Sequence, residues 1–506
     1  MARRAQSLAQ IVTLPAPKGG WNARDPMPAM KNDQAVILIN MVPGPGGVDL
    51  RNGSAVHATG LGARVNSLME YAGAGGGDKL FAAAGVKLFE VSSAGAVDPD
   101  NPVIGDLASD FFIHTMFANS GGSFLTACNG FDPVQQYDGT DWTEPSITGV
   151  DSEDLWFVHP HARRLWFIEK NSTRLWYLEA DAIQGAAGEL DVGSALSLGG
   201  HLMAMASWTR DGGSGPDDLL VVASSKGELI LYSGIDPDTA DWAKVGTFRI
   251  PPPIGRRCFI KFGADLAIVT SQGVLPLSSV LAAQGSEINS RAITNFVEGA
   301  FNQAYIVGGQ LIGWQAVEYA RKQLFIVNVP KVNGLDFEQY VMNSATKRWC
   351  KFTGWPASCW ALMGDKLYFG TPDGRILVLT DDYLDDGQPI QFDALPAFYD
   401  YGNANQKFFK QARGLFTAAQ GTDPPFEMKV DYDLSPATVS QGDIPQGGSP
   451  WGSPWGSSWG PPVVSVSSFQ SIVGYGVVGS PRLRGVSRSA VKWHQTTILF
   501  EVGGPF

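Results

Sequence analysis

The sequence predicts an all-β protein, made of a β-propeller-like domain of repeated hairpins and a C-terminal β-rich domain. Three observations support this prediction. Short apolar runs recur in pairs along most of the chain. The 60 glycines and 32 prolines among the 506 residues fall largely between those runs, where hairpin turns need them. Helical patterns are thin, with one short amphipathic segment around Ser279 to Phe301 that contains Gly299.

The recurring unit is a hairpin of two apolar strands around a polar or glycine turn, and it occurs at least seven times. One hairpin cannot cover its own apolar face, so neighbouring units are expected to pack against each other. The first apolar residues of successive hairpins are 41 to 58 residues apart, close to the roughly 40 to 50 residues of one propeller blade. These residues are Leu80, Phe124, Leu165, Leu219, Leu266, Leu324 and Leu367.

The predicted domain boundaries give three regions. Residues 1–62 would be an N-terminal contact arm with the first strands, residues 63–383 the propeller-like domain, and residues 384–506 the C-terminal β-rich domain. The last region contains a low-complexity run of glycine, serine, proline and tryptophan from Gly447 to Pro462. That run is expected to be an exposed loop.

Composition and charge exclude several classes of protein. The formal charge of -12 argues against a protein that grips nucleic acid through phosphate contacts, which need lysine and arginine. It is compatible with a passage through which a polyanion slides without sticking. No stretch reaches the roughly 20 apolar residues of a membrane span, so none is predicted. The four cysteines lack CxxC spacing and are expected to stay reduced in a protein assembled inside a cell.

No catalytic residue, cofactor or metal site is predicted, and the chain is therefore expected not to be an enzyme. The phosphate-binding pattern GxxxxGK[ST] and the zinc pattern HExxH are absent. A GxSxG match around Ser458 lies in the low-complexity run, where no strand-to-helix elbow would hold the serine as a nucleophile. His159 and His161 could chelate zinc from a strand, but no third ligand lies near in sequence, so a turn histidine pair is expected.

Two local clusters each allow two interpretations. The aspartates Asp236 and Asp238, with Asp241, could converge on calcium, but the glycine and distal glutamate of a calcium loop are missing. A propeller turn with local backbone hydrogen bonds is favoured there. Three tryptophans at a period of four would project from an extended or looping backbone, either to dock on a neighbouring subunit or to fold back over the C-terminal domain. They are Trp451, Trp455 and Trp459.

The segment from Lys18 to Gly53 resembles the start of tail tubular protein B and related tail-nozzle proteins of short-tailed bacteriophages. Its turn follows the pattern Pro-x-x-Gly-Gly-Val-x-Leu-Arg-x-Gly and introduces the first strand. The segments from Phe398 to Ala418 and from Gly474 to Val502 are similar to the closing domain of the same group. The residues of the turn are Pro43, Gly46, Gly47, Val48, Leu50, Arg51 and Gly53.

This resemblance implies a structural virion protein, assembled in the host cytoplasm and located in the virion tail. Six copies would form a ring below the tail adaptor protein, and the C-terminal domain would be its tube or nozzle part. Double-stranded DNA would pass through the lumen without specific binding, and tail fibres or spikes would dock outside. The residues expected at a subunit or adaptor contact are Trp21, Arg24, Arg51, Trp451, Trp455 and Trp459.

A glycan-binding or glycan-cleaving β-propeller protein is the alternative, and a cellular propeller scaffold is a third hypothesis. A glycan propeller should have an aromatic cleft with two carboxylates on one face. A tube subunit should instead bury flat surfaces against copies of itself. A scaffold should be a stable monomer.

Overall fold

Strands dominate the chain from the first described residue to the last. The computed structural model describes residues 9–73, 76–209, 218–282, 291–418, 424–436, 442–444, 463–466 and 468–503. The first six strands are β1 (Ala9–Pro15), β2 (Gly20–Trp21), β3 (Gln34–Ile39), β4 (Met41–Gly44), β5 (Gly47–Leu50) and β6 (Ser54–Thr59).

The next part of the chain forms small antiparallel sheets, here called blades, each built from neighbouring strands. Blade 1 consists of β7 (Val65–Tyr71), β8 (Lys79–Ala84) and β9 (Lys87–Glu90). After β10 (Gly95–Ala96), blade 2 consists of β11 (Ile113–Asn119), β12 (Gly122–Cys128), β13 (Gln135–Tyr137) and β14 (Trp142–Thr143). After β15 (Ile147–Thr148), which pairs with β19 (Gly185–Ala186), blade 3 consists of β16 (Leu155–His161), β17 (Arg164–Glu169), β18 (Arg174–Tyr177) and β20 (Gly188–Asp191).

Four more blades follow in the same manner. Blade 4 consists of β21 (Leu202–Thr209), β22 (Asp218–Ser224), β23 (Glu228–Ser233) and β24 (Ala243–Arg249). Blade 5 consists of β25 (Phe259–Phe262), β26 (Asp265–Thr270) and β27 (Gly273–Pro276), followed by the helices α1 (Leu277–Ala282) and α2 (Glu298–Gly308). Blade 6 consists of β28 (Gln315–Tyr319), β29 (Leu324–Pro330), β30 (Phe337–Asn343) and β31 (Arg348–Phe352). Blade 7 consists of β32 (Cys359–Met363), β33 (Lys366–Gly370), β34 (Ile376–Leu379) and the early strand β6.

The blades are arranged in a closed ring. The first strand of each blade packs against the first strand of the next, from β7 through β11, β16, β21, β25 and β28 to β32, and β32 packs again on β7. Within the described residues this order is that of a seven-bladed β-propeller. β6 runs antiparallel to β34, with Ser54 opposite Leu379 and Ala58 opposite Ile376. Blade 7 therefore combines β6, which precedes blade 1 in the sequence, with β32 to β34, which follow blade 6. This pairing closes the ring.

The predicted all-β fold with propeller-like repeated hairpins is confirmed. The first apolar residue of each predicted hairpin lies in the second strand of one blade, from Leu80 in β8 to Leu367 in β33. Aromatic side chains fill the gaps between blades: Trp142 of blade 2 lies 5.0 Å from Phe81 of blade 1, measured between ring centroids. Trp242 of blade 4 stacks on Trp166 of blade 3 at 5.3 Å.

Strands from both chain ends build the second, C-terminal β-rich domain. The later strands are β35 (Leu384–Asp385), β36 (Gln388–Pro396), β37 (Lys407–Ala418), β38 (Phe426–Val430), β39 (Gly442–Ile444), β40 (Val463–Val466), β41 (Gln470–Gly476), β42 (Gly479–Ser487) and β43 (Val491–Val502). The long strand β43 pairs with β1 on one side and with β37 on the other, and β37 pairs with β41. A facing group of strands joins β3 to β36, β36 to β42, and β42 to β38 and β39.

The core of this domain lies between the two groups of strands. Phe409, Phe416, Trp493 and Phe500 are fully buried there, as the alternation of apolar residues along β37 and β43 requires. The C-terminal domain is thus β-rich as predicted, whereas its role as a tube stays a prediction. Since residues 9–50 pair mainly with C-terminal strands, the first and last of the three predicted regions are joined in one sheet.

Candidate functional site

A cavity of about 280 Å³ lies at the axis of the propeller. Every blade contributes to its wall through the beginning or middle of its first strand, from Leu68 of β7 to Trp360 of β32. Most of the wall is apolar, and it includes the rings of Phe112, Phe157 and Phe259. None of the described residues that line it is aspartate or glutamate. The two carboxylates that a glycosidase needs are therefore not supplied by this wall.

Two adjacent arginines reach across the axis from the connection before blade 5. Arg256 donates hydrogen bonds to the carbonyl oxygens of Trp156 at 2.7 Å and Phe111 at 3.1 Å, and Arg257 donates to that of Phe112 at 2.9 Å. Both guanidinium groups lie against the Phe111 ring, with Cζ 4.5 and 4.3 Å from its centroid. Their acceptors belong to blades 1 to 3, so the arginines bridge opposite parts of the ring. Sequence analysis missed them, and the only available signal was an Arg-Arg pair between a proline-rich turn and an apolar strand.

His159 and His161 lie on β16, the first strand of blade 3, and not in the turn that was expected. Both contact Ser207 of blade 4: its hydroxyl lies 3.1 Å from His159 Nε2 and 2.8 Å from His161 Nδ1. The Ser207 backbone N–H donates to His159 Nε2 at 2.8 Å, which makes that nitrogen an acceptor. Burial lowers the pKa of His159 to about 3 and that of His161 to about 4. Such histidines are weak bases at neutral pH, and they serve here as a neutral bridge between two blades.

The aspartate cluster of blade 4 is a turn, as favoured from the sequence. Asp236 accepts a hydrogen bond from the Asp238 backbone N–H at 3.1 Å and from the Arg164 guanidinium at 2.8 Å. Asp238 accepts one from the Tyr177 hydroxyl at 2.9 Å. These carboxylates fix the loop after β23 to blade 3. Among the described residues, no group of three or more His, Cys, Asp or Glu side chains is placed to hold a metal ion.

Arg51, from the glycine-containing turn of residues 43–53, is buried in the chain itself. Its guanidinium donates to both carboxylate oxygens of Asp385, at 2.9 and 2.5 Å, and to the Thr353 carbonyl at 2.7 Å. Its Nε donates to Asn40 Oδ1 at 2.9 Å. Arg51 thus joins the N-terminal segment to the loop after blade 6 and to β35. The subunit or adaptor contact expected of Arg51 stays a prediction, and its side chain is engaged within the chain itself.

Trp21 and Arg24 lie close together but differ in exposure. Trp21 is buried, and its ring meets Tyr340 edge-on with 5.1 Å between centroids. Arg24 is partly exposed beside a recess of about 180 Å³, pairs with Asp25 at 2.7 Å, and donates to Asn295 Oδ1 at 2.9 Å. The subunit or adaptor contact expected of both residues involves other chains and stays a prediction.

The tryptophans Trp451, Trp455 and Trp459 lie outside the described residues, and so does Ser458. Their expected docking role stays a prediction. Within the described part of the chain, no helix has both the length and the apolar character that a membrane crossing needs.

The outer face of the C-terminal sheet carries exposed apolar side chains from β1, β37 and β41, which lie beside the half-buried Leu499 of β43. Direct pairing places Ile11 opposite Leu499, and Phe408 opposite both Glu501 and Tyr475, so these residues point to the same side. Val473, two residues before Tyr475, points the same way and is 78% exposed. We call this surface, formed by Ile11, Phe408, Val473, Tyr475 and Leu499, the outer apolar face. Because apolar patches of this kind mark association surfaces, it is a candidate contact with another chain.

Comparisons with known proteins give no family for this chain. No protein-family model matches it, and no curated protein matches its sequence. Among solved structures it is similar to the computationally designed Ika8 protein, at 10% identity over 64% of this chain and 99% of that chain, with a TM-score of 0.35. It is also similar to BBS1N from a complex with ARL6DN, at 15% identity over 65% of this chain and 98% of that chain, with a TM-score of 0.38. At these low scores the fold assignment comes from the strand pairing of the chain itself.

Proposed function

We propose that this chain is a structural subunit of a phage tail nozzle and that six copies assemble into a ring. The resemblance of residues 18–53 to such proteins supports this proposal. The observation that carries the proposal is the outer apolar face. Both ends of the chain contribute to it, through β1 and β43, and its side chains point away from the domain core. A sheet face with several exposed apolar side chains is a surface that a second copy of the same chain can cover.

The passage for DNA would lie between subunits and not within one propeller. An axial cavity of about 280 Å³ crossed by two arginines leaves no room for a duplex. In a ring, the walls of the lumen would come from surfaces of several copies. The net charge of -12 per chain suits such a wall, because like charge keeps a moving polyanion from binding. The tail adaptor would sit above this ring, and fibres or spikes would dock on its outside.

Native mass spectrometry with negative-stain imaging of the purified chain tests this proposal. The expected result is a ring with a central hole, formed by the chain alone or after addition of the tail adaptor protein. The variant Val473→Asp places a charge on the outer apolar face and is expected to give monomers with an unchanged melting temperature. Val86→Asp is the matched control, because Val86 is 54% exposed in a turn of blade 1, away from this face. The control should still form rings.

Two outcomes would contradict the proposal. The first is a strict monomer at every concentration and with the adaptor present, which would direct the next experiment to a carbohydrate-binding screen. The second is a ring that Val473→Asp and Val86→Asp leave equally intact, which would remove the outer apolar face from the interface.

A further inference from the structure

The partly buried arginines at the propeller axis differ from the buried arginines of the described chain in having no ion-pair partner. Arg51 pairs with Asp385, Arg164 with Asp236, and Arg482 with Asp393. Within the described residues, by contrast, neither Arg256 nor Arg257 forms an ion pair; their acceptors are carbonyl and hydroxyl oxygens. A cation taken out of water normally needs an opposite charge nearby.

Burial lowers the pKa of Arg257 and the charge of Asp110 opposes this shift, but the Asp110 carboxylate is already engaged by other donors. Asp110 accepts hydrogen bonds from Asn66 Nδ2 at 2.9 and 3.0 Å and from the Gly85 backbone N–H at 2.7 Å. Glu70 lies 3.1 Å from His114 Nε2. Lys261, on β25, adds a third cationic side chain to the cavity lining and has no ion-pair partner among the described residues. The cavity is therefore locally cationic in a protein whose net charge is -12.

Hydrogen-bond donors remain unused at the same cavity. Both hydrogen bonds that Arg257 donates to the described residues come from Nη2, which leaves its Nε and Nη1 without a partner in that part of the chain. Trp360, which lines the cavity and is 3% exposed, has a buried indole N–H without an acceptor in that part of the chain. Burial also lowers the pKa of Arg256 to about 10, with a further contribution from the charge of Arg257, so it stays protonated at neutral pH. A bound anion would supply both the missing acceptors and the missing charge.

We propose that the axial cavity binds a small oxyanion, a carboxylate or phosphate group, through Arg257 and Lys261. A space of about 280 Å³ fits a compact molecule with one to three such groups and excludes a polymer. Arg256 forms part of the cavity wall and is held in place there, because its guanidinium donates hydrogen bonds to carbonyl oxygens of blades 2 and 3. Arg257 already donates to the Ser67 hydroxyl of blade 1 and to the Phe112 carbonyl before blade 2, so the bound anion would neutralise the cation that joins blade 5 to these blades. This site is independent of the proposed role in a phage tail.

Isothermal titration calorimetry of the full chain tests the proposal, with inorganic phosphate and citrate as probes at constant ionic strength in chloride. Saturable binding of one probe with a one-to-one stoichiometry is expected, and the preferred probe identifies the anionic group. Arg257→Gln and Lys261→Gln should each weaken that binding by about tenfold, since each removes a charge-assisted hydrogen bond. Lys244→Gln, at an exposed position on β24, is the matched control and should leave binding unchanged.

Lys261→Gln keeps the test decisive if Arg257→Gln fails to fold, because Lys261 is an exposed side chain and its loss leaves no buried group unpaired. The absence of saturable binding of either probe up to about 20 mM would overturn the proposal. An interaction weaker than this would be non-specific attraction between an anion and exposed cationic side chains. Binding that Lys261→Gln and Lys244→Gln change to the same extent would also overturn it, because the anion would then lie elsewhere.

Discussion

Arg51 illustrates how a single buried charge holds distant parts of this chain together. Its partner Asp385 is 334 residues away, and the side chain of Arg51 is 1% exposed. The guanidinium also lies over the Trp355 ring, with Cζ 4.4 Å from the centroid, and Trp355 Nε1 donates to the same Asp385 at 3.0 Å. The carboxylate is thus the common acceptor for two elements that meet only in the folded state.

Arg51→Met is expected to lower the free energy of unfolding by roughly 3 to 5 kcal/mol, because it leaves the Asp385 carboxylate without its counterion. Urea unfolding followed by tryptophan fluorescence measures this change. Arg163→Met is the matched control: its pair with Asp181 is exposed and screened by water, and its loss should change stability far less than the loss of Arg51. The double variant Arg51→Met/Asp385→Leu should regain part of the lost stability. Equal losses in the two single variants would contradict this role.

The buried histidines of blade 3 predict a specific dependence of stability on pH. Folding lowers the pKa of His159 to about 3 and of His161 to about 4, whereas in the unfolded chain both titrate near 6.5. Between these values the unfolded state binds more protons, so stability is fully present above pH 6.5 and falls as the pH drops towards 4. Each histidine contributes a slope of about 1.4 kcal/mol per pH unit in that window.

His159→Gln should remove part of this slope. Urea midpoints at pH 7.5 and pH 5.0 are the measurement, and the difference between the two midpoints should be smaller in the variant than in the unaltered chain. Carboxylate protonation is common to both proteins and cancels in the comparison. An identical difference in both would mean that His159 titrates normally in the folded state.

At the scale of an element, the short strand β5 shows why glycine occupies a particular position of the turn between β4 and β5. A Cβ atom at Gly47, where φ is +149°, would lie 2.3 Å from the carbonyl oxygen of Trp493 on the adjoining strand. Gly46, directly before it, has Lys492 Cε at 3.6 Å as its nearest neighbour, which is ordinary contact. The two glycines are adjacent in sequence but only one is required by the close approach of β43.

Gly47→Ala is therefore expected to destabilise the protein by roughly 2 kcal/mol, through both the backbone conformation and the clash. Gly46→Ala should change stability by less than about 0.5 kcal/mol. Thermal unfolding of the two variants beside the unaltered protein is the measurement. If Gly46→Ala proved the more damaging change, the pairing of β5 with β43, in which Val48 lies opposite Trp493, would be wrong.

The hairpins were predictable from the sequence because their information is local. In blades such as those of Leu165 and Leu219, two apolar runs flank a short polar turn, and neighbouring residues alone determine that pattern. The location of His159 and His161 was predicted wrongly because the motif His-Pro-His suggests a turn. In the structure it lies on a strand with Pro160 opposite Leu165.

At the scale of the whole molecule, closure of the ring predicts cooperative unfolding. The four cysteines are all buried and lie in or beside blades 2, 5, 6 and 7. Burial raises the pKa of every one of them, to about 12 for Cys258 and about 11 for Cys359, which keeps them as unreactive thiols. Because β6 binds the last blade to the start of the chain, no blade has a free side from which unfolding can begin.

Pulse alkylation with iodoacetamide across a urea series, read by mass spectrometry, tests this expectation. No thiol should react in the native protein, and Cys128, Cys258, Cys350 and Cys359 should become reactive at one common urea concentration. Complete alkylation of the fully denatured chain is the control for reagent and time. Reaction of Cys258 well before Cys359 would mean that blade 5 opens separately from the closing blade.

The sequence by itself determined the all-β class, the repeated hairpins and the change of character near residue 384, because alternation, turn residues and composition are properties of adjacent residues. Only the tertiary structure decided that the blades number seven in the described chain, that β6 completes the last of them, and that Arg256 and Arg257 meet at the axis. It also decided that Arg51 faces Asp385. These contacts join residues that are far apart in the chain. Which residues meet depends on how the blades close into a ring, and no pattern of neighbouring residues predicts that closure.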